Sequence, residues 1–206
     1  MPHPEFFDDV RKIMLRDPLA EFLGTAEEGI VEYGYTDAVK LAGHSCPTVA
    51  GAYLLSLKAL AWLYQEMRPE RGAIKVDFRN DIAEGVAGVT ANVVTLITGA
   101  TQNGGFKGIA GRFDRRNLLF FNAEIEGEIR FQRIDTGMSV EASYRPELVP
   151  PAPAMKSLMP RVLSGTASME ELHEFGTLWQ DRVRRILIDH IDNAEMIILG
   201  NTRQSK

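Results

Sequence analysis

One segment of this chain is apolar on nearly every side when it is drawn as a helix. It follows Pro47, and its apolar side chains are Val49, Ala52, Tyr53, Leu55, Ala59, Leu60, Trp62 and Leu63. A helix without a polar face is stable only inside a fold, because every side needs cover from water. The small residues Ala50 and Gly51 would let another part of the backbone approach its first turns closely. The sequence therefore predicts a buried central helix.

The segments around this helix predict further helices and strands. Asp17 followed by Pro18 is typical of a helix start, and Gly43 and Gly99 each stand where a helical pattern stops. From spacing and alternation we expect helices over residues 6–14, 18–22, 36–42 and 86–97, and strands over residues 29–35 and 73–78. Residues 107–144 then carry four β-biased runs separated by turn residues, which predict an antiparallel meander.

The last third of the chain differs in composition. Residues 146–160 hold five of the ten prolines, and this density predicts a linker or surface strap without regular structure. Ser168 and Glu171 then form a capping box, and apolar residues continue at helical spacing to Ile197 over roughly seven turns. So long an amphipathic helix needs a covering surface. Either the core domain or a second copy of the chain could supply it, and we expect the second copy, which makes the protein a homodimer.

These patterns together predict an α+β fold. In this fold an antiparallel sheet packs against helices, one of which is the buried central helix, and a long amphipathic helix ends the chain. We expect three regions: an α+β core domain over residues 1–145, a proline-rich linker over residues 146–160, and a C-terminal helical extension over residues 161–206.

Charge and hydropathy exclude several classes of partner. The formal net charge is −5 and there is no long basic run, so we expect neither nucleic acid nor an anionic membrane as partner. No apolar stretch reaches the roughly 18–20 residues that span a bilayer, and the acidic, amphipathic start does not look like a signal peptide. A single cysteine cannot form an internal disulfide. We therefore expect a cytoplasmic protein.

That single cysteine, Cys46, lies at the start of the buried helix. Pro47 occupies the first helical position, so Cys46 is predicted to be the N-cap, where unpaired N–H groups and the helix dipole favour a thiolate. His44 lies two residues earlier in a loop, so its ring nitrogen and the Cys46 sulfur can face one point. The pair could bind a metal ion or act as base and nucleophile. Alternatively, Cys46 is a small buried hydrophobe and His44 a surface residue.

Residues 43–55, GHSCPTVAGAYLL, resemble the signature of the E-subunit family of formylmethanofuran dehydrogenase. The resemblance covers roughly residues 36–125, and it is most specific at Gly43, His44, Cys46 and Pro47. A glycine-rich loop with Gly99, Thr101 and Gly104 matches less specifically. Two positions depart from the pattern: Thr48 replaces a glycine, and Ala100 stands where the family has a second cysteine. Many members of the family also carry a cysteine-rich zinc finger at the C-terminus, where this chain has the proline-rich segment and the long predicted helix.

The resemblance implies an α+β core, a dimer and a metal site at the His-x-Cys loop. The ion would be zinc or another divalent transition metal, bound by His44 and Cys46 with water or substrate in the open positions. Thr98, Thr101 and Asn103 of the glycine-rich loop could orient a small-molecule ligand. The protein could then be an enzyme or an oxidoreductase-associated subunit.

Two other functions are open at this level. In a metal-free thiol enzyme, Cys46 would be the nucleophile and His44 the general base. In a non-enzymatic accessory or dimerisation protein, the long C-terminal helix would bind a partner and the His-x-Cys loop would only pack. The metal content and the reactivity of the thiol would distinguish these functions.

Overall fold

The computed structural model describes residues 2–201. The helices are α1 (Phe6–Asp9), α2 (Pro18–Phe22), α3 (Tyr35–Ala42), α4 (Pro47–Tyr64), α5 (Ala87–Thr98), α6 (Met155–Leu163) and α7 (Met169–Arg184). The strands are β1 (Ile13–Arg16), β2 (Ile30–Tyr33), β3 (Ile74–Phe78), β4 (Leu119–Phe120), β5 (Ile129–Arg133), β6 (Ser139–Tyr144) and β7 (Ile197–Asn201). This combination of helices and strands confirms the predicted α+β class. Within residues 2–201, none of the helices is both long and apolar enough to cross a membrane.

The predicted central helix is α4, and it is buried on nearly every side, with Ala61 exposed near its end. Val49, Ala50 and Leu55 point in different directions around α4, and each is at most 2% exposed. The helix packs against α3 and α5 and against β5, β6 and β7. The buried hydroxyl of Ser56 donates to the carbonyl of Ala52 at 3.0 Å. This polar group at the centre of the core is therefore paired.

The main sheet has five strands in the order β4-β3-β5-β6-β7. β3, β5, β6 and β7 are antiparallel neighbours, whereas β4 pairs with β3 in parallel. The predicted four-strand meander is therefore wrong in its first half, and the sheet is mixed. The physical reason lies in the backbone: the N–H groups of Leu118 and Leu119 donate to the carbonyl of Thr101 in the loop after α5. This segment is consequently held beside β3 and not beside β5.

At the N-terminus, helix α1 is shorter than predicted. Residues 13–16 form β1, which pairs antiparallel with β2 in a separate two-stranded sheet. Ile13 and Leu15 are buried while Met14 and Arg16 are exposed, so the period is that of a strand. The apolar residues before Asp17 fit a helical spacing in the sequence, but pairing with β2 decides the structure.

The C-terminal third also departs from the prediction. The proline-rich segment contains α6, in which Met155 and Leu158 are buried and Pro160 lies inside the helix. Helix α7 begins at the predicted Ser168 and Glu171 capping box. It ends at Arg184, however, and one wide π-type turn leads through a loop to β7, so the seven-turn helix to Ile197 is wrong. Residues 202–206 of the predicted extension lie outside the described residues.

A buried ion cluster joins three segments of the chain. Asp17 accepts hydrogen bonds from Arg71 Nη1 at 3.0 Å and from Arg115 Nη2 at 2.6 Å, and all three side chains are largely withdrawn from solvent. Asp17 Oδ1 also caps α2 by accepting from the N–H groups of Leu19 and Ala20. Arg71 further donates to the carbonyl of Leu96 on α5. The cluster therefore ties α2 to the end of α5 and to the loop before β4.

We predict that Asp17→Asn lowers the free energy of unfolding by about 3–5 kcal/mol, because it leaves two guanidinium groups without their carboxylate partner. Urea denaturation followed by circular dichroism measures the change. Asp192→Asn is the matched control, since Asp192 pairs with Arg11 and Lys58 in exposed positions and its loss should have far less effect.

The destabilisation caused by Asp17→Asn should depend on pH in a defined direction. Burial alone would raise the pKa of Asp17, but the charge of Arg115, the Ala20 N–H and the two arginine hydrogen bonds together hold that pKa below its ordinary value of 3.8. The ionised form therefore stabilises the fold above about pH 4, and this contribution is lost as the pH falls through the lowered pKa. The difference in the free energy of unfolding between wild type and Asp17→Asn should therefore become smaller below pH 4. A difference that stays constant from pH 7 to pH 3 would contradict the assignment.

Candidate functional site

A cleft of about 610 Å³ opens at the N-terminal end of α4. Its walls come from the first turns of α4 and α5, the residues after β3, the start of β5, the end of β6 and one side of α7. The lining residues include His44, Cys46, Thr48, Leu55, Phe78, Arg79, Glu84, Thr90, Glu128, Ile129, Tyr144, Trp179 and Arg182. Small-molecule sites in proteins are typically clefts of this size with mostly apolar walls and a few polar groups.

Cys46 is the N-cap of α4, as predicted. Its backbone is extended, Pro47 takes the first helical position, and the sulfur accepts from the Val49 N–H at 3.5 Å. The residue is only 9% exposed. The sulfur is thus held at the positive end of the helix dipole, where a negative charge is favoured, and it lies on the wall of the cleft.

His44 also lines the cleft, and its ring is fixed by a backbone contact. Gly43 ends α3 in the left-handed conformation, at φ 75°, and turns the chain toward the cleft. His44 Nδ1 lies 3.0 Å from the carbonyl oxygen of Ala42. A carbonyl can only accept, so Nδ1 carries the proton and Nε2 of the neutral ring keeps its lone pair. His44 is exposed, so this nitrogen is available to a ligand, a proton or a metal.

Ser45, between these two residues, is held by α7. The indole N–H of Trp179 donates to the Ser45 carbonyl at 3.0 Å, and the Gln180 amide donates to the same oxygen at 3.2 Å. The Ser45 hydroxyl lies 2.9 Å from the oxygens of Tyr35 and Gln180. The contacts with α7 span about 135 residues of sequence. The local pattern assigns Trp179 only to helix packing, and no local signal points to its contact with Ser45.

Tyr144 closes the cleft on the side of the sheet. Its hydroxyl donates to the Pro47 carbonyl at 3.0 Å, and burial raises the pKa of Tyr144, so the phenol stays a neutral donor. The ring packs against Gly51 so closely that a side chain at this position would overlap it. The close approach predicted for another part of the backbone is therefore made by the side chain of Tyr144 instead.

The glycine-rich loop lies away from the cleft. Thr98, Thr101 and Asn103 follow the C-terminal end of α5, whereas Ala87 and Thr90 at its N-terminal end line the cleft. Twelve residues of helix separate the two ends by about 18 Å. Thr98 is buried and donates to the Val94 carbonyl, and Thr101 donates to the Arg115 carbonyl. The structure thus brings His44 and Cys46 together and places the three predicted cofactor-binding residues elsewhere.

The residues of the cleft do not complete a zinc site. Over residues 2–201, no group of three or more His, Cys, Asp or Glu side chains is arranged to hold a metal ion. His44 and Cys46 supply two donors, whereas zinc sites use three or four protein ligands. Among the described residues that line the cleft, His44 is the only histidine. Asp77 is buried in ion pairs with Lys75 and Arg130.

We predict that Gly51→Ala destabilises the protein by about 1–3 kcal/mol, because the new methyl group forces the Tyr144 ring out of place. Alanine normally stabilises a helix interior by about 1 kcal/mol relative to glycine, so the expected sign is opposite to that of helix propensity. Gly176→Ala on α7 is the matched control, since nothing lies within 4 Å of the added atom and this variant should be at least as stable as wild type. Thermal and urea unfolding of both variants measure the difference.

Comparisons with known proteins assign no family to the chain. No protein-family model matches it, and no curated protein matches it. The resemblance to the E-subunit family accordingly remains a hypothesis based on the motif around Cys46.

Proposed function

We propose that the protein binds a small organic molecule in the cleft at the start of α4, with His44 Nε2 and Cys46 Sγ as the reactive groups that meet it. The observation that carries the proposal is the position of both side chains on the wall of a cleft of ligand size. Neither group is consumed by another side chain: Nδ1 of His44 bonds a backbone carbonyl, and the sulfur of Cys46 accepts from a backbone N–H.

The composition of the walls supports an organic ligand. Leu55, Phe78 and Ile129 give an apolar surface on which a hydrocarbon or an aromatic ring can pack. Thr48 and Thr90 add hydroxyl groups, so the cleft can both bury apolar area and orient polar atoms.

The proposal can be tested by screening small fragments against the wild type and against a variant whose cleft is blocked by a bulky side chain. Small aromatic fragments should shift the amide resonances of residues 44–48 in ¹H–¹⁵N spectra of the wild type. Thr48→Trp should abolish these shifts, because the indole would occupy the cleft from a partly exposed position. Gln102→Trp, on an exposed loop away from the cleft, is the matched control and should preserve them. Fragment shifts that survive in Thr48→Trp, or none in the wild type, would overturn the proposal.

Metal binding is a second candidate function, favoured by one observation. A histidine that ligates a metal usually donates its other ring N–H to a carbonyl or carboxylate, and His44 does so toward Ala42. Zinc or another divalent transition metal would need further donors from a ligand or from water, since the described part of the chain brings two, His44 and Cys46, to this loop.

Elemental analysis separates the candidates. For a metal site we expect one ion per chain in protein purified without added metal or chelator, and none in Cys46→Ala. A metal-free protein whose Cys46 is alkylated by iodoacetamide, with protection by a bound fragment, supports the thiol function instead. A protein with neither property fits a non-enzymatic accessory role.

Self-association and location remain part of the proposal. The C-terminal half of α7 is covered by the chain itself, since Val183 is fully buried. Leu163 and Met169, at the tip between α6 and α7, are about 80% exposed and offer a surface for a second copy. We propose a cytoplasmic homodimer, and a monomer mass in sedimentation equilibrium would contradict the dimer.

A further inference from the structure

We infer that the ligand of the cleft carries a carboxylate group and that Arg182 binds it. The inference rests on the proposed function and specifies the chemical class of its ligand. It starts from an arginine on α7 that lines the cleft and has no acidic partner within residues 2–201.

Arg182 is fixed by backbone carbonyls instead of by a carboxylate. Its Nε donates to the Val149 carbonyl at 2.7 Å, and Nη2 donates to the Pro146 carbonyl at 3.2 Å. Of the five N–H groups of a guanidinium, three are left, two of them on Nη1. Among the described residues, no Asp or Glu forms an ion pair with Arg182, although the side chain is half-buried.

The neighbouring arginines of the same helical segment show that acidic partners are available there. Arg184 pairs with Asp181 and Asp189, and Arg185 pairs with Asp181. Of the three arginines of this segment, Arg182 is the one that lines the cleft, and its hydrogen-bond partners in the described part of the chain are backbone carbonyls alone. A half-buried guanidinium that is held in place and keeps free N–H donors favours the binding of an anion. The anion then offsets the free-energy cost of withdrawing the cation from water.

The other charges of the cleft lie at its rim. Glu84, Glu128 and Arg79 are exposed, so water and salt screen them, and the carboxylate of Glu128 already accepts from the Tyr144 N–H at 3.1 Å. Arg79 donates to the Glu126 carbonyl. The interior of the cleft is therefore more positive than its mouth.

Two further features favour a carboxylate inside. The first turn of α4, an 18-residue helix, contributes the positive end of its dipole to the same cleft. A planar guanidinium also matches the two oxygens of a carboxylate and can donate to both at once. The apolar wall at Leu55 and Phe78 would then take the hydrocarbon part of the ligand.

Benzoate and benzamide are suitable probes, because they share the ring and differ in charge. NMR titration of the wild type should give a Kd for benzoate at least about tenfold below that for benzamide, as expected for a hydrogen bond to a charged group. In Arg182→Gln this ratio should fall to about one, mainly because benzoate binds more weakly. Arg182→Lys should keep part of the preference, and Arg184→Gln, whose arginine is paired outside the cleft, should keep all of it.

The outcomes separate the inference from the proposed function. If benzamide binds in the cleft and benzoate binds no tighter, or if Arg182→Gln leaves the ratio unchanged, the carboxylate inference is overturned and the binding cleft stands. If neither probe shifts residues 44–48, both are overturned. Should Arg182→Gln fail to fold, the wild-type ratio still decides, because a preference carried by an ion pair must decrease as salt is raised.

Discussion

The burial of α4 is the constraint on which the rest of the structure depends. A helix that is apolar around its whole circumference must be covered on every side, and here α3, α5 and three strands of the main sheet provide that cover. The cover stops at the first turn, where a helix has N–H groups without intrahelical partners. The polar loop that ends in Cys46 lies at this point, and the cleft opens beside it. The same feature that organises the core thus determines where a ligand can reach it.

The shape of this opening is set by segments that are remote in sequence. Trp179 and Gln180 on α7 hold the carbonyl of Ser45, and Tyr144 on β6 holds the carbonyl of Pro47. Each contact joins a side chain to the backbone, so it fixes the path of the loop and leaves the side chains of His44 and Cys46 to face the cleft. A loop restrained in this way is preorganised, and a ligand does not have to order it on binding.

Features that depend on neighbouring residues could be predicted from the sequence, whereas features that depend on contacts between distant segments could not. The start of α4 at Cys46, the capping box of α7 and the helix end at Gly99 depend on neighbouring residues, and local patterns identify them. Strands β1 and β7 were missed because pairing with a distant strand decides their conformation. For the same reason the glycine-rich loop looked like part of the site: its composition indicates a turn, but only the fold shows which end of α5 borders the cleft.

The pairing of β7 with β6 has a consequence for how the chain is made. Residues 197–201 form the outer strand of the main sheet, and Ile186, Leu187 and Met196 complete the core around α4. Until these residues leave the ribosome, β6 has an unpaired edge and the central helix lacks part of its cover. The nascent chain therefore exposes an aggregation-prone strand edge from the time β6 emerges until β7 follows it. During this interval the sheet and the core are incomplete, and chaperones that shield apolar segments can act on the chain.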